Sequence, residues 1–410
     1  MNGAMILEGI KVTDNLSSND QILYFTTSCV TSDDKILVFI SDRTGHPNIF
    51  AKEIGSNVEK QLTFNTDGTL KSYVYFNGNE NSGLGKASIS LDAKNEKIYY
   101  IQGRNICVVD LKGNNRILNT LPDNQVTAFT HISSDGKKLC VPTTDARALE
   151  ADKFINDSPG YKLSQEGKNE VISNKPDYDI DERVRKEKLS SYLRVYDTET
   201  GELLLCERVQ SAWITHVQFS PIDSNLILYN HEWSYDSGIN RMWLWDGKTH
   251  IRLRNEGDLR SREDWTCHEM WQADGKAIIY HGKYKDGTAY IGRLKMDDLS
   301  ITEISLPAHY QKYGHFTTSN KKGNYLVTDG YYREANENDD NWAGSWISIL
   351  KVDWEQKHID WIPVCKHFSK WDCQDSHPHP VFNHSDSYIL YTSNRYGNRC
   401  VCGADVSDLI

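Results

Sequence analysis

The chain has 410 residues, 38% hydrophobic and 11% aromatic, with a formal net charge of −11. That suffices for a large core, and the acidic balance argues against a nucleic-acid partner held by phosphate attraction. No run reaches the roughly 20 apolar residues of a membrane span, and Met1 to Val12 has neither a basic segment nor a long apolar one, so neither a membrane anchor nor a secretory leader is expected. Nine cysteines lie scattered without CxxC spacing, which favours reduced thiols and a cytoplasmic protein.

In chain order, the stretch from Ile6 to Thr13 reads as a strand that completes the last unit of a closed ring. A turn followed by an alternating apolar strand then recurs. Ser32-Asp33-Asp34-Lys35 precedes ILVFI, Asp92-Ala93-Lys94-Asn95 precedes KIYYI, and Ser134-Asp135-Gly136-Lys137 precedes KLCVP. Pro221-Ile222-Asp223-Ser224 leads into NLILY, Ala273-Asp274-Gly275-Lys276 into AIIYH, Lys321-Lys322-Gly323 into NYLVT, and Asn383-His384-Ser385-Asp386 into YILYT. Seven irregularly spaced copies, with hairpin chemistry at Thr200-Gly201 and Asp246-Gly247, predict four-stranded units in an all-β, seven-bladed β-propeller. Residues 1–410 read as one such domain. Arg43 and Arg395 sit in SDRxG-like turns of the Tol-B type and read as turn residues rather than ligands.

Two excursions break the pattern. Leu149 to Leu189 is polar and charged, with a short exposed helix expected over Asp181 to Lys188; it reads as an inter-strand excursion or as a lid. The other runs from Tyr331 to Trp346.

The richest chemistry lies in Gln374-Asp375-Ser376-His377-Pro378-His379-Pro380. In an extended backbone, residues two apart share a side, so His377 and His379 can address one point, and each following proline disfavours helix. The Gln374 amide oxygen can reach the same point. Such a donor set suits Mn, Fe, Co, Ni or Zn rather than Ca; the alternative is a pair of surface histidines in a proline-rich turn. His216, His268 and His315 occupy corresponding places ahead of three earlier blade turns. Four histidines in register argue for a His-lined central site, where a single one would read as a core residue. His281, His309, His358, His367 and His384 read as structural, and Trp213, Trp233, Trp265 and Trp271 as blade packing in preference to sugar stacking.

The strings QDSHPHPVF, CHEMWQADG, YNHEWSYDSGINRMW and GHFTTSN, in this order, resemble those of oligogalacturonate lyases, bacterial cytoplasmic enzymes with a seven-bladed propeller. The resemblance is densest from Ser211 to Gly397. It implies that His315, Gln374, His377 and His379 hold a divalent metal, manganese above all. It further implies that His268 is the Brønsted base and that Arg241 sits by the substrate carboxylate. His231 and Glu232, in a family-like string, would support the site or touch the sugar, as would His216. The expected reaction is β-elimination on short oligogalacturonides: C5 proton abstraction, C4–O cleavage and a 4,5-unsaturated product. The stretch Gln21 to Cys29 lacks the His-Arg-rich string that family members carry there, so the outer sugar subsites are expected to differ. Lyase chemistry on another uronide, or a non-catalytic Tol-B or WD-like binding propeller, are the competing readings. A serine-peptidase propeller is set aside, because the chain has no GxSxG elbow and no room for a hydrolase domain.

Overall fold

A computed structural model describes residues 7, 9–13, 17–71, 83–127, 129–155, 160–164, 166, 168–172, 175–232, 240–254, 265–306, 314–330, 346–370 and 374–410. The architecture is an all-β propeller. Five sheets have four strands, one has eight, one has five, and one is a two-stranded ribbon. The sheet of Trp265–Trp271, Ala277–Lys283, Ala289–Lys295 and Ile301–Ser305 is typical: consecutive strands, each antiparallel to the last. Its second strand reads AIIYHGK and is buried along nearly its whole length, because a propeller blade is covered on both faces by its neighbours.

Seven like four-stranded units were the sequence expectation, and the four-stranded regularity is corrected at two sheets. Part of the 149–189 excursion leaves its own sheet: Gly160–Leu163 pairs with Thr69–Lys71, and Asn169–Ile172 pairs with Gly160–Leu163, so both extend the sheet that holds Lys97–Gln102. A short strand, Gln125–Val126, also pairs beside His131–Ile132 along Lys138–Asp145. The excursion's helix is Ile180–Lys186, capped by the Asp179 carboxylate, which accepts from the Glu182 N–H. Among the described residues no helix is long and apolar enough to cross a membrane.

Inner-strand side chains link neighbouring sheets in sequence order. The Leu91 N–H donates to Thr27 Oγ1 at 3.1 Å, Ser90 and Thr130 hydroxyls meet at 2.8 Å, and the Phe219 N–H donates to His131 Nδ1 at 3.1 Å. Gln218 Nε2 reaches the Glu269 carbonyl at 2.8 Å, Thr318 Oγ1 the Trp271 carbonyl at 3.1 Å, and Thr317 Oγ1 the Pro380 carbonyl at 2.9 Å. The Ile22 N–H donates to Thr392 Oγ1 at 3.2 Å and joins last sheet to first. Ile10–Lys11 pairs with Asn398–Asp405, so the N-terminal strand lies as expected. That strand completes the last sheet from its outer side and closes the ring. Arg43 pairs with Asp20 and Glu59, in keeping with a turn role. The Tyr331 to Trp346 excursion and Trp233 lie almost entirely outside the described residues.

Candidate active site

Five aromatic side chains follow one another around the inner strands: Phe129, His216, His268, His315 and His379. Successive ring centroids are 4.8, 6.3, 4.7 and 4.1 Å apart. The histidines anticipated in register do converge. Phe25, from the first sheet, reaches into the same cluster and lies 5.4 Å from the His268 ring, 5.3 Å from His315 and 5.5 Å from His379.

His315, His377 and His379 offer ligand atoms that all lie within 4.8 Å of one another. The Asp329 carboxylate organises them. It accepts from the His315 backbone N–H at 2.6 Å, lies 3.1 Å from His315 Nδ1, and accepts from the His379 backbone N–H at 3.1 Å. A carboxylate on Nδ1 fixes the tautomer and turns the Nε2 lone pair toward the cluster, as behind metal-bound histidines generally. Burial would push Asp329 up, but His315 and His377 outweigh it and keep the group ionised. Burial drives His377 down to about 3 and His379 well below the usual imidazole range, so both rings are neutral donors at pH 7. His379 is 0% exposed, and neither ring nitrogen has a hydrogen-bond partner among the described residues. A buried imidazole with two unsatisfied nitrogens is costly unless something else is bound there. Three converging imidazoles, two of them held neutral by burial, therefore fit a divalent transition metal. Gln374 opens the turn Gln374–Ser376 directly before His377; its side chain lies outside the described residues.

Beside this triad stands His268, at a bulge in Trp265–Trp271 where the pairing register shifts between Cys267 and Met270. Its φ is 50°, which swings the ring out of strict alternation and into the cluster. His268 Nδ1 lies 2.8 Å from Nε2 of His281, across the sheet. Burial, and then the neighbouring His315 and His281, hold His268 well below the ordinary imidazole range. Cys267 pairs with His281 across the strands, and its thiol is pushed up to about 12 by burial.

Arg241 is buried and engaged. Its Nε donates to Glu269 at 2.8 Å, Nη1 lies 3.5 Å from Glu232, and Nη2 is 3.2 Å from His216 Nδ1. Burial would raise Glu269, but Arg241 and His216 overcome it and hold the carboxyl at about 2. Glu232 also accepts from Thr215 Oγ1 and, at 2.7 Å, from Asn230 Nδ2. His231 lies apart from this network, its ring packed on Trp243 at 5.5 Å and Tyr229 at 6.1 Å.

A family model described as oligogalacturonate lyase matches residues 175–410, more than half of the chain. The chain belongs to the oligogalacturonate lyase family. Its curated relatives include an oligogalacturonate lyase of Dickeya dadantii (strain 3937), 23% identical over 94% of this chain and 90% of the relative. An oligogalacturonide lyase of Pectobacterium atrosepticum is 24% identical over the same shares. A solved oligogalacturonate lyase in complex with manganese superposes with a TM-score of 0.71, at 21% identity over 97% of this chain and 96% of that one. Oligogalacturonate lyases are enzymes that act on oligosaccharides, and the propeller is theirs.

Within this family frame, two residues that matter here escaped the sequence reading. His281 read as structural, because nothing in AIIYHG shows that its strand faces the bulge. Asp329 is marked by no local pattern; only the tertiary fold brings it behind His315 and His379.

Proposed function

We propose that this protein is a metal-dependent oligogalacturonate lyase that cleaves short pectin-derived oligogalacturonides by β-elimination. The single observation that carries this reading is the juxtaposition of a neutral, oriented histidine, His268, with the converging triad His315, His377 and His379. His315, His377, His379 and Gln374 would hold the metal, with manganese favoured by the relative solved with it. When bound, the metal supplies Lewis-acid neutralisation of the uronide carboxylate and so acidifies C5.

His268 takes the C5 proton. With its Nδ1–H donated to His281 Nε2, the His268 Nε2 lone pair stays free for it, and the strongly lowered affinity for protons keeps that lone pair available at pH 7. The electron pair of the C5–H bond becomes the C4–C5 double bond, and C4–O breaks with departure of the leaving sugar. Arg241 supplies the cationic side of the site; with Glu269 and Glu232 it fixes the His216 ring. His216 and Glu232 line the site, and His231 gives support from the blade.

The chain 1–410 forms one domain in this reading, with the excursion at 149–189, and its blade count is seven. Five four-stranded sheets, an eight-stranded one and a five-stranded one, linked in order around the ring, support that count. The working compartment is the cytoplasm, supported by eight free thiols among the described cysteines, including Cys400 and Cys402, whose sulfurs lie 3.6 Å apart unbonded.

The test is ultraviolet absorbance of digalacturonate and trigalacturonate mixed with the protein, with manganese and separately with a chelator. A rising signal from the conjugated double bond, abolished by chelation, is the expected result. A flat trace with manganese demonstrably bound points to another uronide. A flat trace with no metal bound overturns the lyase reading in favour of a binding propeller.

A further inference from the structure

Adjacent residues of a regular strand face opposite sides of the sheet. The bulge in Trp265–Trp271 breaks that rule at Cys267 and His268, because the register shifts between Cys267 and Met270 and His268 takes a φ of 50°. Both side chains then address His281, which pairs with Cys267 across the strands and sets its Nε2 2.8 Å from His268 Nδ1. The ligand atoms of Cys267, His268 and His281 all lie within 4.8 Å of one another, the same limit that the triad His315, His377 and His379 meets.

The two donor sets differ in kind. The triad offers imidazoles alone, which manganese accepts; the second set adds a sulfur, which as thiolate selects zinc and similar thiophilic ions. In a tetrahedral zinc site two imidazole nitrogens stand about 3.4 Å apart, so the His268–His281 pair must open by roughly half an ångström. Cys267 and His268 are half-buried, and an ion can reach them from solvent. Six of the eight free thiols described are buried, and the exposed one, Cys206, belongs to no such group of donors among the described residues.

We propose that Cys267, His268 and His281 form a second metal site, separate from the triad, that takes zinc or another thiophilic divalent ion and thereby switches the base off. Binding replaces the hydrogen bond between the two rings. The ion bonds Nδ1 of His268 and Nε2 of His281, the Cys267 thiol gives its proton to solvent, and a fourth position is left for water. A neutral imidazole bound through Nδ1 carries its proton on Nε2. In the lyase reading that nitrogen takes the C5 proton, so a metal-loaded His268 has no lone pair to offer. The inhibition rests on that reading; the metal site does not.

The test has two arms. In the first, metal-free protein is titrated with cobalt(II), whose bond to a thiolate gives a near-ultraviolet charge-transfer band that imidazole ligands do not. Wild type should develop the band and Cys267→Ser should not. No band in wild type, or one that survives in Cys267→Ser, overturns the proposal. In the second arm, zinc is added to manganese-loaded enzyme acting on digalacturonate, with bound manganese measured alongside. The zinc concentration for half inhibition should rise in Cys267→Ser by more than about tenfold, the low end of what losing even an outer-shell partner of a metal costs. Manganese should stay bound in both proteins. Equal zinc sensitivity of the two, or inhibition that tracks loss of manganese, puts zinc at the triad and overturns the proposal. Should Cys267→Ser fail to fold by circular dichroism, Cys267→Ala carries the same expectations. A wild type silent on digalacturonate before zinc is added removes the lyase reading, while the cobalt arm still decides the site.

Discussion

His268 and His379 hold φ values of 50° and 48°, in the left-handed region that ring-bearing residues seldom occupy. Such backbone strain costs on the order of 1–3 kcal/mol and persists where the surroundings over-determine it. At both residues it turns an imidazole inward, one the proposed base and the other a proposed metal donor. His268→Ala should abolish turnover, read by product absorbance, and leave manganese content unchanged; loss of metal in that variant would put His268 among the ligands. His377→Ala should lower metal content and activity together. His281→Ala should cut kcat about 10–100-fold, the range for partners that orient a functional imidazole, with manganese retained. Unaltered kcat would show that the 2.8 Å contact does not orient the base. The histidines in register were legible in the sequence, because each precedes a turn the eye can align. His281 and Asp329 were not: their roles depend on cross-strand pairing and on a carboxylate reaching back over one turn, and neither leaves a local pattern.

At the scale of the element, short apolar runs bounded by turns disclosed the blade strands: KIYYI and YILYT are buried almost throughout, as strands covered on both faces are. The destination of the 149–189 excursion was hidden. Its strands are polar and sit at a sheet edge, where no apolar alternation is required. Beside Leu149, Ile180 and Val184, the excursion is anchored by Tyr161, 1% exposed, whose hydroxyl donates to Asp42 at 3.2 Å and whose ring lies 5.1 Å from the Arg399 guanidinium. Tyr161→Ala should therefore destabilise the protein by about 3–5 kcal/mol, as for other large-to-small core replacements, while manganese affinity holds. Denaturant unfolding measures the first and calorimetry the second. A loss under about 1 kcal/mol would mean that the excursion is only loosely attached.

For the whole molecule, buried histidines set the response to acid, and three of them show its sign. Burial holds His231, His281 and His367 at about 3, against about 6.5 in the unfolded chain. Between those values the unfolded state binds more protons, so stability rises with pH across that window. It is fully present above about pH 6.5 and is lost as pH falls toward 3. Three such groups give at most about 4 kcal/mol per pH unit within it. Metal-free protein should melt markedly lower at pH 5 than at pH 7.5. Equal melting temperatures would mean that these imidazoles are solvated in the folded state.

The pairing of Ile10 with Gly403 and of Lys11 with Cys402 has a consequence for biosynthesis. The segment carrying His377 and His379 belongs to the sheet that those two strands complete, so Ile10–Lys11 finds its partner only after Asn398–Asp405 has been made. A nascent or prematurely terminated chain holds His315 and His268 but no finished metal cradle. A chain stopped short of Asn398–Asp405 would carry His377 and His379 on a sheet without its closing strands, and so an unfinished version of the proposed cradle.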